Sequence, residues 1–158
     1  MLLDAAHLAG VAIERQQVDH AIRESEGRFR AVLDASPSAV YVREPSGRYS
    51  FVNRAMSEWL GVPLGAWQGK SPDELLPPEL LAVCDRHDNL ARATDRPVQG
   101  RHVVQLAERS SILLATHVPL HAADREARAV CGILTDVTEA VAARQDLERL
   151  WQHLRGSG

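Results

Sequence analysis

Residues 97–136 read as three successive β-strands, 97–107, 111–120 and 127–136, and the last two are apolar on both faces. In the middle strand Ile112, Leu114, Thr116 and Val118 alternate with Leu113, Ala115 and His117. A sheet with two apolar faces needs a cover on each side. Helices can supply one cover; the N-terminal helix or a second subunit has to supply the other. A homodimer through the N-terminal helix and the sheet is therefore expected. Upstream, the runs 39–44 and 49–52 flank Pro45-Ser46-Gly47-Arg48 and read as a β-hairpin. Asn53 stands where a helix over 54–60 needs an N-cap, and Gly61 suits its C-terminal stop. Pro63, Gly65, Gly69 and Pro72 leave room only for short helical turns. Pro77-Pro78 then opens a helix over 78–93, proline being tolerated in a first turn. Five strands with helices between the second and third predict an α+β domain around an antiparallel sheet.

Helices flank this domain. Residues 2–25 carry Leu8, Val11, Val18, Ile22 and Phe29 at spacings of three, four and seven, a narrow stripe suited to a seam or to the sheet. Ser25-Glu26-Gly27 reads as a break, with a short helix over 28–35 before Pro37. At the other end Asp136 is placed to cap a helix over 136–155, with Glu139 reaching back in a capping box. Ala140, Ala143, Leu147, Leu150 and Leu154 follow at heptad positions, a possible coiled coil.

Composition narrows the function. The net charge is -3 and Lys70 is the only lysine, so no basic stripe invites nucleic acid. Cys84 and Cys131 form no CxxC pair and read as reduced thiols of a cytoplasmic protein. No apolar run reaches the roughly 20 residues of a membrane span, and the start lacks the basic region of a signal peptide. Both ends read as cut points within a longer protein. No HExxH or phosphate-cradling glycine loop is present, and Ser110-Ser111 lacks elbow glycines. Pairs such as His87 with Asp85, or His117 with His121, have no nucleophile beside them, and His20 has no ATP-binding domain after it. No enzyme activity and no structural metal are expected.

Specific words fall on these elements in order. Glu24-Ser-Glu-Gly-Arg-Phe-Arg-Ala-Val-Leu-Asp-Ala-Ser-Pro37 resembles the opening of PAS domains. Glu44 to Tyr49, Phe51-Val52-Asn53-Arg54-Ala55 and Trp59-Leu60-Gly61 resemble their first hairpin and the helix after it. Arg92 to Val98 resembles the exit from their long helix, and Gly132-Ile133-Leu134-Thr135-Asp136-Val137-Thr138-Glu139 their closing Asp-Ile-Thr type motif. The chain thus resembles the PAS/PAC sensor module of bacterial signalling proteins over about residues 24–140. Ala5 to Arg15 resembles the last helix of a GAF domain. The resemblance implies a linker helix over 1–25, a PAS domain over 26–138 and an exit helix over 139–158. It also implies a five-stranded sheet with helices on one side, cupping a small pocket.

That family reading makes the domain a non-catalytic sensor and relay, with Asp136 and Thr138 passing a change in the last strand to the exit helix. Its output domain, in the same polypeptide, would be a histidine kinase, a diguanylate cyclase or a transcription regulator. Strand and helix parity nominate a pocket of Val40, Val42, Trp59, Leu60, Trp67, Leu75, His87, Leu90, Val103, Leu113, Ala115 and Ile133. The segment Val62 to Lys70 lacks the cysteine of light-sensing flavin members. His87 sits where haem-binding members place their iron ligand, with Arg101 further on, so a haem gas or redox sensor is one alternative. A ligand-free dimerisation spacer is another. No cofactor is expected.

Overall fold

The computed structural model describes residues 2–106, 108–121 and 128–156. The predicted element ends at residues 1, 107, 127, 157 and 158 lie outside the described residues. The chain divides into two units, one ending at Ala35 and the other beginning at Ser36.

The first unit is helix α1, Leu2–Ala35. It runs through Ser25-Glu26-Gly27, where the sequence reading put a break. One glycine costs about 1 kcal/mol relative to alanine inside a helix, too little to stop a helix of 34 residues whose other positions favour it. Leu8, Val11, Val18, Ile22 and Phe29 are all exposed along it.

The second unit is built on a sheet of order β2-β1-β5-β4-β3, every pair antiparallel. Its strands are β1 (Ala39–Arg43), β2 (Tyr49–Val52), β3 (Val98–Leu106), β4 (Arg109–Leu120) and β5 (Ala129–Asp136). Between β2 and β3 lie α2 (Arg54–Leu60), a 3-10 turn at Leu64–Ala66, α3 (Pro72–Leu75) and α4 (Pro78–Thr94); α5 (Thr138–Gly156) follows β5. The expected five-stranded α+β architecture is what forms.

Asn53 does more than cap. Its Oδ1 accepts from the Met56 N–H at 3.1 Å and from the Val40 N–H at 2.9 Å, and its Nδ2 donates to the Ser38 carbonyl at 2.9 Å. One fully buried amide so ties α2 to β1. Gly61 ends α2 in the left-handed region at φ 64°, where a side chain would be strained. The core lies between the sheet and the helices: Ala39, Tyr41, Val104, Leu113, Ala115 and Leu134 meet Met56, Trp67, Leu76, Leu80, Val83 and Cys84.

Gly132 is the tightest point of this sheet. A Cβ there would stand 2.2 Å from the Tyr41 ring, so the ring of β1 passes close over the backbone of β5. Gly132→Ala is expected to destabilise the domain by about 1–3 kcal/mol, the usual range for overpacking. Urea unfolding measures this, and an unchanged midpoint would show that the ring is free to move aside.

Candidate functional site

The buried face of α4 carries Leu80, Val83, Cys84, His87, Asp88 and Ala91, a helical stripe that turns polar half-way along. Strand alternation aims Tyr41, Arg43, His102 and His117 at that polar half. The Asp88 carboxylate, fully buried, is the hub. It accepts from the Tyr41 hydroxyl at 3.0 Å and from Arg43 Nη1 at 3.0 Å, and His117 Nδ1 lies 2.7 Å away. An ionised carboxylate only accepts, so Nδ1 of His117 carries the proton. Arg43 also bonds Asp85 at 2.7 Å. Burial above all, then the neighbouring Cys84 and Asp88, push the Tyr41 phenol well above its ordinary value and keep it a donor.

Three imidazoles adjoin this hub. His87 and His102 meet through their Nε2 atoms at 3.1 Å, and the His87 ring stands edge-on to His117 at 4.9 Å. A Cβ on Gly100 would come within 2.8 Å of His102 and 2.9 Å of His87, so this glycine makes room for the pair. His87 Nδ1 and His117 Nε2 are buried with no hydrogen-bond partner among the described residues. Burial first, then His117, His102 and Arg86, lower the pKa of His87 to about 4. His102 is lowered too, by burial and then by Arg86 and His117. Both rings are therefore neutral near pH 7.

A second constellation sits where β5 hands over to α5. Asp136 Oδ1 accepts from the Thr138 amide at 3.0 Å and from its hydroxyl, which in turn accepts from the Ile112 N–H at 2.8 Å. The Val137 N–H bonds the Ile112 carbonyl at 2.8 Å, and Arg109 Nη2 meets Asp136 Oδ2 at 2.5 Å. Burial resists ionisation of Asp136, but Thr138 and Arg109 together hold its pKa below the ordinary value. Asp136 thus closes a clasp between β4 and the start of α5, through Thr138 and not through the capping box expected with Glu139.

A family model described as the PAS fold matches residues 33–142. The chain belongs to the PAS-fold family. Among curated proteins, this PAS chain is 38% identical over 78 residues to the methyl sulfide methyltransferase-associated sensor of Methanosarcina acetivorans, covering 49% of the chain and 8% of that protein. It is 26% identical over 124 residues to the methanogenesis regulatory histidine kinase FilI of Methanothrix harundinacea, covering 78% of the chain and 14% of that protein. The chain so spans a small part of the curated relatives it matches. Among solved structures it resembles the PAS domain of Bordetella pertussis BvgS, with TM-score 0.62 and 23% identity over 83% of this chain and 98% of that one. A sensory box sensor histidine kinase from Vibrio cholerae gives TM-score 0.57 and 20% identity, covering 76% and 97%. These structural likenesses speak for the fold, and the two curated relatives are named as a sensor and a histidine kinase. No described helix is long and apolar enough to cross a membrane.

Within the PAS domain the nominated residues part company. Trp67, Leu113 and Ala115 are core residues, and Trp59, Leu60 and Leu75 pack half-buried against them. Val40, Val42, Val103 and Ile133 alternate with the core positions and so lie on the opposite sheet face, although Val40 is buried there. Parity failed because the inward positions of β1 belong to Tyr41 and Arg43, polar residues that an apolar criterion assigns outward. Leu90 is 48% exposed, since the buried stripe of α4 passes through Ala91 instead. His87 is 6% exposed and belongs to the interior. Its two neighbouring rings leave no approach for a haem iron at Nε2 unless His102 moves away, so these residues do not fit haem. Arg101 is exposed on the face opposite to His102. Among the described residues no group of three or more His, Cys, Asp or Glu is arranged to hold a metal ion. Sequence reasoning missed Tyr41, Arg43, Asp88, His102, His117 and Arg109; the one available signal was Gly100 and Gly132 inside strands, which mark close approach of other groups.

His87 contributes to the acid limb of stability. An unfolded histidine takes up its proton near pH 6.5, whereas His87 resists until about 4. Between those values the unfolded chain binds more protons, so stability falls as pH drops through the window and levels below it. The lowered carboxylate of Asp136 acts later, below about pH 4. Chemical unfolding at pH 7, 5.5 and 4.5 should show the decline, and His87→Gln should flatten it by up to about one proton. A slope identical in the two proteins would mean that His87 is protonated without opposition.

Proposed function

We propose that this PAS domain is the non-catalytic sensory and relay module of a longer signalling polypeptide and delivers its signal through α5. The supporting observation is the junction itself. A single residue, Val137, separates β5 from α5, and the Asp136–Thr138 clasp bonds that junction to Ile112 of β4. Any shift of β5 relative to β4 changes the bonds that start α5. The output domain is read as a histidine kinase, in line with the curated relatives named as a sensor and a histidine kinase. The domain is further read as cytoplasmic, with residues 1–25 as a linker from a GAF-like domain, 26–138 as the sensor and 139–158 as the exit. It makes no contact with nucleic acid.

In this reading the working unit is a homodimer. Exposed Leu8, Val11, Val18 and Ile22 on α1 offer one seam, and Leu147, Leu150 and Leu154 on α5 another. Sedimentation equilibrium should give a dimer, and Val11→Asp with Ile22→Asp should shift it to monomer; a monomeric parent protein removes this part of the reading. A second reading, a spacer with no ligand, draws on the fully buried Trp67, Tyr41, Tyr49 and Met56 that fill the interior.

Thr138→Val tests the relay. It strips the Ile112 N–H of its acceptor, a loss of about 1–2 kcal/mol. Hydrogen exchange of the first turns of α5 should accelerate while β1 and β3 keep their protection. Unchanged exchange in α5 would show that the clasp does not govern the helix.

A further inference from the structure

A cleft of about 380 Å³ opens beside the clasp, lined by Pro37, Ser38, Trp59, Leu106, Arg109, Thr135 and Asp136. Its size lies in the range of small-molecule sites, about 300–1,000 Å³, and its lining is mixed, Pro37, Trp59 and Leu106 facing the polar Ser38, Arg109, Thr135 and Asp136. It is separate from the Asp88 and histidine cluster, whose residues do not line it. Each wall comes from a different element. Trp59 is at the end of α2, Leu106 and Arg109 flank the β3–β4 turn, and Thr135 and Asp136 end β5. The Ser38 and Thr135 hydroxyls bond each other at 2.9 Å across the floor.

The polar chemistry selects the guest. Arg109 is 69% exposed at its side chain, and among the described residues one of its donors is taken, by Asp136. A guanidinium presents five donors in a fork that matches a carboxylate. Asp136 already supplies one negative charge, so a guest with a single negative charge suits the remaining edge of Arg109 better than a doubly charged phosphate. The Trp59 indole with Leu106 and Pro37 offers apolar walls to the rest of the molecule.

We propose that this cleft binds a small monocarboxylate with a flat apolar body, held by the outer edge of Arg109 and the side of Trp59. The proposal rests on the sensory reading above and supplies its ligand site. A bound carboxylate shares the Arg109 guanidinium with Asp136 and loosens their pair, and Asp136 is the residue that holds Thr138 and the first turn of α5. Occupancy of the cleft thereby reaches the exit helix without passing through the domain interior.

Calorimetric titration of the whole chain with indole-3-acetate tests the site, with indole-3-acetamide as the uncharged match. Saturable binding of the acid is expected, with the amide about tenfold weaker, as the loss of a charge-assisted bond implies. Arg109→Gln should weaken the acid by a similar factor and leave the amide unchanged, and Trp59→Leu should weaken both, with unfolding midpoints confirming that each variant is folded. Absence of saturable binding at millimolar acid overturns the proposal. So does equal binding of acid and amide, or indifference to Arg109→Gln, or a dimer whose second copy already fills the cleft. The relay is read separately, by exchange in α5. If Thr138→Val loosens α5 while the acid fails to bind, the site falls and the relay stands. If the acid binds through Arg109 but leaves α5 exchange unaltered, the site stands and its link to the clasp falls.

Discussion

A buried carboxylate is tolerable only when donors surround it, and Asp88 has drawn its donors from two strands that are not neighbours. Tyr41 and Arg43 come from β1 and His117 from β4, with β5 lying between. Removing one partner of such a buried charge typically costs about 3–5 kcal/mol, because the charge is left uncompensated. The placement of α4 on the sheet, the register of β1 against β5 and the burial of His117 all serve this one group. Tyr41 reaches it by crossing β5, and Gly132 is the position that lets it cross.

β5 is consequently held at two points. Its middle lies under the Tyr41 ring at Gly132, and its end is fixed by Asp136 to Thr138 and, through that hydroxyl, to Ile112. Four residue steps of extended chain separate them, roughly 13 Å at about 3.3 Å per residue. The interior and α5 are joined by a short segment paired with β4 throughout, with no loop to absorb a displacement.

The architecture was legible in the sequence because its signals were local. The Pro45–Arg48 turn, the Asn53 cap, the Gly61 stop and the Pro77-Pro78 opening each dictate backbone geometry within a few residues, and the elements they bound formed as expected. The site was legible only in part, because its logic is long-range. Nothing local marks Asp88 as buried; that takes Tyr41, 47 positions earlier, and His117, 29 positions later, folded against it. The apolar Val40 and Val42 drew the inward assignment for the same reason: no local rule says that a tyrosine and an arginine face a core. The break assigned at Gly27 failed in the opposite sense, since a weak local signal was outweighed by the helical preference of everything around it.

The single-residue junction at Val137 also fixes an angle. A helix advances about 100° and 1.5 Å with each residue, and with no linker between β5 and α5 nothing can cancel a phase error. Whatever is joined beyond α5 inherits its azimuth directly from the pairing of β5 with β4. Adding or removing one residue in α5 would turn the end of the helix by more than a quarter of a circle, whereas a full heptad would return it nearly to its starting face. The sheet thus sets the direction in which α5 points, in steps as discrete as the residues of the helix.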